Sequence, residues 1–223
     1  MKRAVLFDLD GVLLDSRAAQ LATLAGFATS ALDHRVTAAD LPAGALTRPR
    51  AQVLAELGLS GVINEDGWDA ATATAGLHTE AFPFVGETLT ALRAAGVATA
   101  IVTLRSRRRV GWLLPPETLD LIDTIVCFED AAPKPAPDGL LLALRRLDVV
   151  PKDAVFVGDT DIDIHAARAA GIRVVGAGWG FAGPDVLTRA GADLVLPHAA
   201  ALADVLLLLL AGAEPSHQKS KRS

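Results

Sequence analysis

An α/β fold, a doubly wound parallel sheet carrying one all-helical insertion, follows from three features of the sequence. From Pro83 onward short apolar runs alternate with helical stretches, which is the pattern of a parallel sheet covered on both faces. The first run, Ala4-Val5-Leu6-Phe7, is continuously apolar, as a strand buried on both faces must be. Between Ser16 and Glu80 no β-branched run occurs, and Ala- and Leu-rich segments take its place. The expected organisation is an α/β core from residues 1–15 and 83–212, a helical cap from 16–82, and a disordered tail from 213–223.

The elements follow in order. After the first strand, Ala18 to Ala31 places Leu21, Leu24, Ala25 and Ala28 at helical spacing. Arg50 to Leu57 is a second helix stopped by Gly58, and Asp69 to Ala81 a third, polar on one face. Glu87 to Ala95 is a helix closed by Gly96. Strands then fall at Val97–Thr103, Thr124–Phe128, Ala154–Gly158, Ile172–Val175 and Asp193–Leu196. The helices between and after them span Arg107–Leu113, Pro137–Leu147, Asp161–Ala170, Asp185–Ala190 and Leu202–Leu210.

Size and composition narrow the function. At 223 residues the chain suits one domain with a modest insertion, and half its residues are apolar. No uninterrupted apolar run is long enough to span a bilayer, and the first apolar stretch breaks at Asp8 without a cleavage site. A soluble, cytoplasmic protein with no membrane partner is expected. The net charge of −5 argues against nucleic acid as a partner. The single cysteine, Cys127, lies in an apolar strand and reads as a buried, inert thiol in a reducing compartment.

Ligands of open α/β sheets bind beyond the carboxyl ends of the strands, so a site is expected at those ends. The first ends in Asp8-Leu9-Asp10-Gly11, the second in Thr103, and the fourth in Gly158-Asp159-Thr160-Asp161-Ile162-Asp163; Lys134 follows the third. Two aspartates at a strand end could merely cap a turn. Four segments delivering polar groups to one sheet edge point instead to phosphoryl transfer through a carboxylate. A carboxylate can attack phosphorus, Mg²⁺ takes oxygen ligands and neutralises approaching anions, and a lysine and a threonine can bind the phosphoryl oxygens. A second carboxylate can protonate the leaving oxygen and then deprotonate water.

Phe7-Asp8-Leu9-Asp10-Gly11-Val12-Leu13-Leu14-Asp15-Ser16 resembles the first motif of the haloacid dehalogenase (HAD) superfamily, in its subgroup of small-molecule phosphatases with a helical cap. Ile101-Val102-Thr103 is similar to the second motif, Lys134-Pro135 to the third, and Gly158-Asp159 with Asp163 to the fourth. The resemblance implies a HAD-like Rossmannoid core and a phosphatase working through an aspartyl-phosphate intermediate. It assigns Asp8 as nucleophile, Asp10 as general acid/base, and Thr103 and Lys134 as phosphate-binding residues. Mg²⁺ would be held by the Asp8 carboxylate, the Asp10 backbone carbonyl and Asp159. Asp163 would stand in the metal's outer shell and orient Lys134. Asp161 is read as the cap of the helix beside it. The family often carries Asn after the second-motif residue, where this chain has Leu104, so a secondary contact is missing.

The expected substrate is a small phosphorylated metabolite, phosphoglycolate or a sugar phosphate, acted on by a monomer, with a homodimer as the alternative. A β-phosphoglucomutase-like phosphomutase shares all four motifs. A non-catalytic phospho-acceptor module is the reading from a different class, and would need neither Asp10 nor a lid. Arg48 and Arg50 in the insertion are candidates for substrate contact, because arginine forks suit anionic groups. The run Arg105 to Arg109 is read as a solvated helix start. Trp179 either lines the entrance or packs, and His34, His78, His165, His198 and His217 have no metal-ligand spacing. The insertion reads as a lid, hinged near Leu14–Arg17 and Phe82–Gly86, that excludes bulk water.

Overall fold

The computed structural model describes residues 2–48, 50–60 and 79–213. Its centre is a six-stranded sheet built from β1 (Arg3–Phe7), β4 (Val97–Val102), β5 (Thr124–Val126), β6 (Ala154–Gly158), β7 (Arg173–Ala177) and β8 (Leu194–Leu196). The spatial order is β5-β4-β1-β6-β7-β8, and every neighbouring pair is parallel. The fold is thus the doubly wound α/β sheet the sequence predicts.

The apolar runs divide by alternation into two cores. Val5 and Phe7 of β1 face one side, where helices Val85–Ala94 and Leu202–Leu210 supply Leu89, Leu92, Leu206 and Leu209. Ala4 and Leu6 face the other side, against helices Asp138–Leu147, Asp161–Ala169 and Pro184–Ala190. Ala4, Val5, Leu6 and Phe7 have no solvent exposure, because β1 is flanked by β4 and β6 and covered on both faces.

β1 is also where the winding reverses. The chain leaves it to build β4 and β5 on one side, then crosses back to build β6, β7 and β8 on the other. A crevice forms at such a reversal, at the carboxyl ends of the strands. Asp8, the residue after β1, therefore stands at its mouth.

The insertion carries its own small core. Helices α1 (Arg17–Leu32) and α2 (Arg50–Glu56) pack Leu24, Ala25, Ala28, Val53 and Leu54 together, with Val36 and Leu59. Gly58, at a φ of +80°, turns the chain at the end of α2. The sequence reading did not anticipate a two-stranded antiparallel ribbon, β2 (Leu14–Asp15) with β3 (Glu80–Ala81), where the chain enters and leaves the insertion. Most of the helix expected over Asp69 to Ala81 lies outside the described residues, and its last two residues form β3. His78, His217 and all of the tail except Ala213 also lie outside them. No described helix is long and apolar enough to cross a membrane.

The closeness of packing around β1 has a measurable consequence. Leu6→Ala should lower the unfolding free energy by about 2–5 kcal/mol in urea denaturation, the cost of a cavity in a rigid core. Leu208→Ala, at a side chain 45% exposed, should change it by less than ~0.5 kcal/mol.

Candidate active site

The turn after β1 sets the first two carboxylates. The Asp8 amide donates to Val157 O at 2.9 Å, continuing the β1–β6 ladder one residue past the strand. Gly11 has a φ of +76°, and a Cβ there would overlap the Asp159 carboxylate. Only glycine lets the turn and Asp159 come so close. Gly180 backs onto Asp159 from the other side, where a Cβ would collide with the Asp159 side chain.

Four of the residues singled out at the strand ends converge on one buried point. Lys134 Nζ donates to Asp8 Oδ1 at 2.7 Å, to Asp163 Oδ1 at 2.6 Å and to Val102 O at 3.2 Å. Asp163 Oδ2 accepts from the Thr160 hydroxyl at 2.5 Å and from the Thr160 amide at 3.1 Å. Asp159 Oδ2 accepts from the Phe181 amide at 2.7 Å, whereas its Oδ1 is buried with no partner. Carboxylate oxygens of Asp8, Asp159 and Asp163 lie within 4.8 Å of one another. Thr103 is buried at the end of β4, and its Oγ1 accepts from the Arg105 amide at 3.1 Å.

Asp10 belongs to a second, neighbouring cluster. Its Oδ1 accepts from Ser16 Oγ at 2.5 Å and from Arg105 Nη2 at 2.7 Å, and its Oδ2 from Arg105 Nε at 2.6 Å. Gln20 Nε2 in turn donates to Ser16 Oγ at 3.1 Å. Ser16 precedes α1 as its cap residue, yet its hydroxyl serves Asp10 rather than the helix.

These contacts correct two expectations. Arg105 is not part of a solvated helix start: the helix begins at Arg107, and Arg105 lies in the loop after β4 with 14% of its side chain exposed. Arg107 does behave as a surface residue, pairing with Asp130 at 2.6 Å, and Arg108 stacks over Trp112 at 4.8 Å. Asp161 does not cap the helix beside it; Thr160 does, in a reciprocal capping box with Asp163. Arg105, Ser16, Gln20 and the Phe181 amide are the site contacts that sequence reasoning missed. The available signal for Arg105 was its position two residues beyond Thr103, just past the end of a predicted strand.

The remaining residues fall into place around the two clusters. Arg48 pairs with Glu56 and, with Arg50, lines a cavity that Asp10 and Arg105 also line. Trp179 packs, edge-on to Phe84 at 5.6 Å, with its indole N–H directed at Val12 O at 3.4 Å. Cys127 is buried, and burial pushes its thiol up, as an inert thiol requires. His165 is exposed.

Residues 5–177 match the model of the haloacid dehalogenase-like hydrolases. That span contains both clusters. The chain belongs to this family. Among curated proteins, a phosphoglycolate phosphatase of Pseudomonas putida is 33% identical over 201 residues, 81% of this chain and 71% of that one. Among solved structures, a HAD family hydrolase of Deinococcus radiodurans with bound phosphate and sodium has a TM-score of 0.73 at 27% identity, covering 96% of this chain and 99% of that one. A Thermotoga maritima protein described as a β-phosphoglucomutase reaches the same TM-score at 24% identity, over 93% of this chain and 99% of that one, and shows the common fold. With such relatives this HAD hydrolase is a phosphatase.

The electrostatics of the HAD site differ between the clusters. Burial pushes the Asp8 carboxyl up to about 7, with Lys134 opposing and Asp163 reinforcing the rise. Burial, then Asp163 and Asp8, push Asp159 well above the carboxylate range. Burial alone would lower the Lys134 ammonium, but Asp163 and Asp8 hold it above its ordinary value. At Asp10 burial also acts upward, yet Arg105, Ser16 and Gln20 together hold the carboxyl below its ordinary value.

An all-oxygen donor set with one unpartnered, buried carboxylate oxygen suits a hard divalent cation. The raised acids also fix the sign of a linkage. A carboxyl raised on folding contributes stability that is present below its unfolded pKa and lost as pH rises through its folded pKa. Asp8 and Asp159 should therefore lower the melting temperature of metal-free protein as pH rises from about 4 to beyond 7. Added Mg²⁺, competing with those protons, should raise it more at pH 7.5 than at pH 5.5. Asp159→Asn should melt ~2–6 °C higher than the unaltered protein in EDTA at pH 7.5 and should lose the Mg²⁺-induced shift.

Proposed function

We propose that the chain is a Mg²⁺-dependent phosphatase that hydrolyses a small phosphorylated metabolite of the phosphoglycolate type through a phosphoaspartyl intermediate on Asp8. The observation that carries this reading is the buried cluster of Asp8, Lys134, Asp163 and Asp159, with Asp159 Oδ1 lacking any partner. The name of the P. putida relative supports the substrate class.

Each side chain then has one task. An Asp8 carboxylate oxygen attacks phosphorus as the bond to the leaving oxygen breaks. Asp10 gives a proton to that oxygen, then takes one from the water that attacks the phosphoaspartate, so phosphate leaves and Asp8 is regenerated. Lys134 and the Thr103 hydroxyl hold the phosphoryl oxygens where charge accumulates. Asp8, the Asp10 carbonyl and Asp159 would hold the cation, and Asp163 would orient Lys134 beside it. The cation supplies charge neutralisation between an anionic nucleophile and an anionic ester.

The insertion, residues 16–82, acts as a cap in this reading. Ser16, the cap residue of α1, donates to Asp10 and is itself held by Gln20 of α1, and α1 and α2 together line the cavity over Asp10. The β2–β3 ribbon, through which the chain enters and leaves the cap, suits a hinge. A cavity of about 240 Å³ is of a size for a small metabolite.

Release of p-nitrophenol from p-nitrophenyl phosphate, with Mg²⁺ and with EDTA, tests the assignment. Asp8→Asn should reduce turnover at least ~10³-fold while circular dichroism stays unchanged. Undiminished phosphate release from that variant would refute Asp8 as nucleophile. Conversion of β-glucose 1-phosphate to glucose 6-phosphate, without net phosphate release, would replace the hydrolase with a mutase.

A further inference from the structure

The cavity of about 240 Å³ opens onto Asp10 and Leu104, not onto Asp8, Lys134 or Thr103. It therefore lies on the side of the site that receives the part of a substrate that departs. Arg48, Arg50, Arg105 and Arg109 line it, and among the described lining residues Asp10 is the only acid. Arg48 is matched by Glu56, which does not line the cavity.

Arg105 stands at the boundary between this cavity and the reacting centre. The Nε–Nη2 edge of its guanidinium grips both oxygens of Asp10, at 2.6 and 2.7 Å. The Ser16 hydroxyl takes up Oδ1 as well. A carboxylate held in this way turns both oxygens to a cation and is a poor proton donor or acceptor toward a leaving group or a water. For Asp10 to exchange protons with either, the fork must release it. A buried guanidinium does not give up one carboxylate unless another anion replaces it. The fork is already shaped to a carboxylate, since a planar two-donor edge matches a planar two-acceptor group.

We propose that Arg105 is a specificity-determining residue, which exchanges the Asp10 carboxylate for a carboxylate on the departing part of the substrate. The proposal rests on the phosphatase reading above and adds a condition to it. Substrates bearing a second, carboxylate anion free Asp10 as they bind; neutral phosphate esters leave it clamped.

The test uses two esters of similar size, 2-phosphoglycolate and ethyl phosphate, with the full chain and Mg²⁺. The unaltered enzyme should prefer 2-phosphoglycolate by about 100-fold in kcat/KM, and R105Q should reduce the preference to below about 10-fold. The loss should fall on 2-phosphoglycolate through both KM and kcat. R105K, which keeps the charge without the fork, should recover only part of the preference. Calorimetric titration of Asp8→Asn separates binding from turnover: it should bind 2-phosphoglycolate more tightly than ethyl phosphate, and R105Q added to it should abolish the difference. A preference that survives R105Q, an equal loss on both esters, or a preference removed by R48Q instead would overturn the assignment. Discrimination by Asp8→Asn that depends on Arg105, in an enzyme that cleaves neither ester, would support the exchange and refute the phosphatase reading alone.

Discussion

A single ammonium group between two buried carboxylates holds the site together. Lys134 Nζ lies 2.7 Å from Asp8 and 2.6 Å from Asp163, with 4% of its side chain exposed. Such an arrangement is stable only when complete, because removing one partner leaves an uncompensated charge out of water. It also ties together three stretches remote in sequence: the end of β1, the loop after β5, and the helix after β6. One ammonium cannot answer three carboxylates. Burial raises Asp8 and Asp159, the remaining deficit adds to the rise, and a divalent cation would satisfy it.

The position of this cluster is a consequence of topology. β1 is the strand from which the winding departs in both directions, so the loops of β4 and β6 flank its end. Strand order brings Asp159 next to Asp8, and the loop after β5 carries Lys134 past the end of β4 to meet them, across more than a hundred residues of sequence. Close approach then depends on small residues. Gly11 and Gly180 leave no Cβ where Asp159 must sit, and the Cβ of any other residue at Gly158 would meet the side chain of Asp163.

This explains which parts of the site could be read in the sequence. The strands of the sheet were legible because a doubly buried strand is a short apolar run, whatever its partners. Asp8, Thr103, Lys134, Asp159 and Asp163 were legible because each sits at a strand end or just beyond it. Arg105 was not, because a run of arginines looks like a solvated face until the chain is folded. Its burial depends on Asp10, which precedes it by 95 residues. Thr160 was overlooked for Asp161 because both are good caps, and only backbone geometry distinguishes the extended residue before a helix from its first residue. The β2–β3 ribbon is two residues wide on each side, too short for any periodicity to register.

The two ion-pair systems differ in a way that separates chemistry from recognition. Lys134 makes three hydrogen bonds inside the protein, one of them to a backbone carbonyl, and does not line the cavity beside Asp10. Its partners come from three separate segments of the core, and none from the cap. Arg105 makes its paired bonds at the wall of that cavity, and the residues around it come from the cap as well as the core. An ion pair at a cavity wall can change partners without exposing a bare charge, provided that the newcomer arrives as the old partner leaves. The same fold can therefore keep one set of carboxylates unchanged and vary the other. Under the exchange proposed for Arg105, alteration of the cap or of the loop after β4 would redirect the enzyme to other leaving groups while the end of β1 stays as it is.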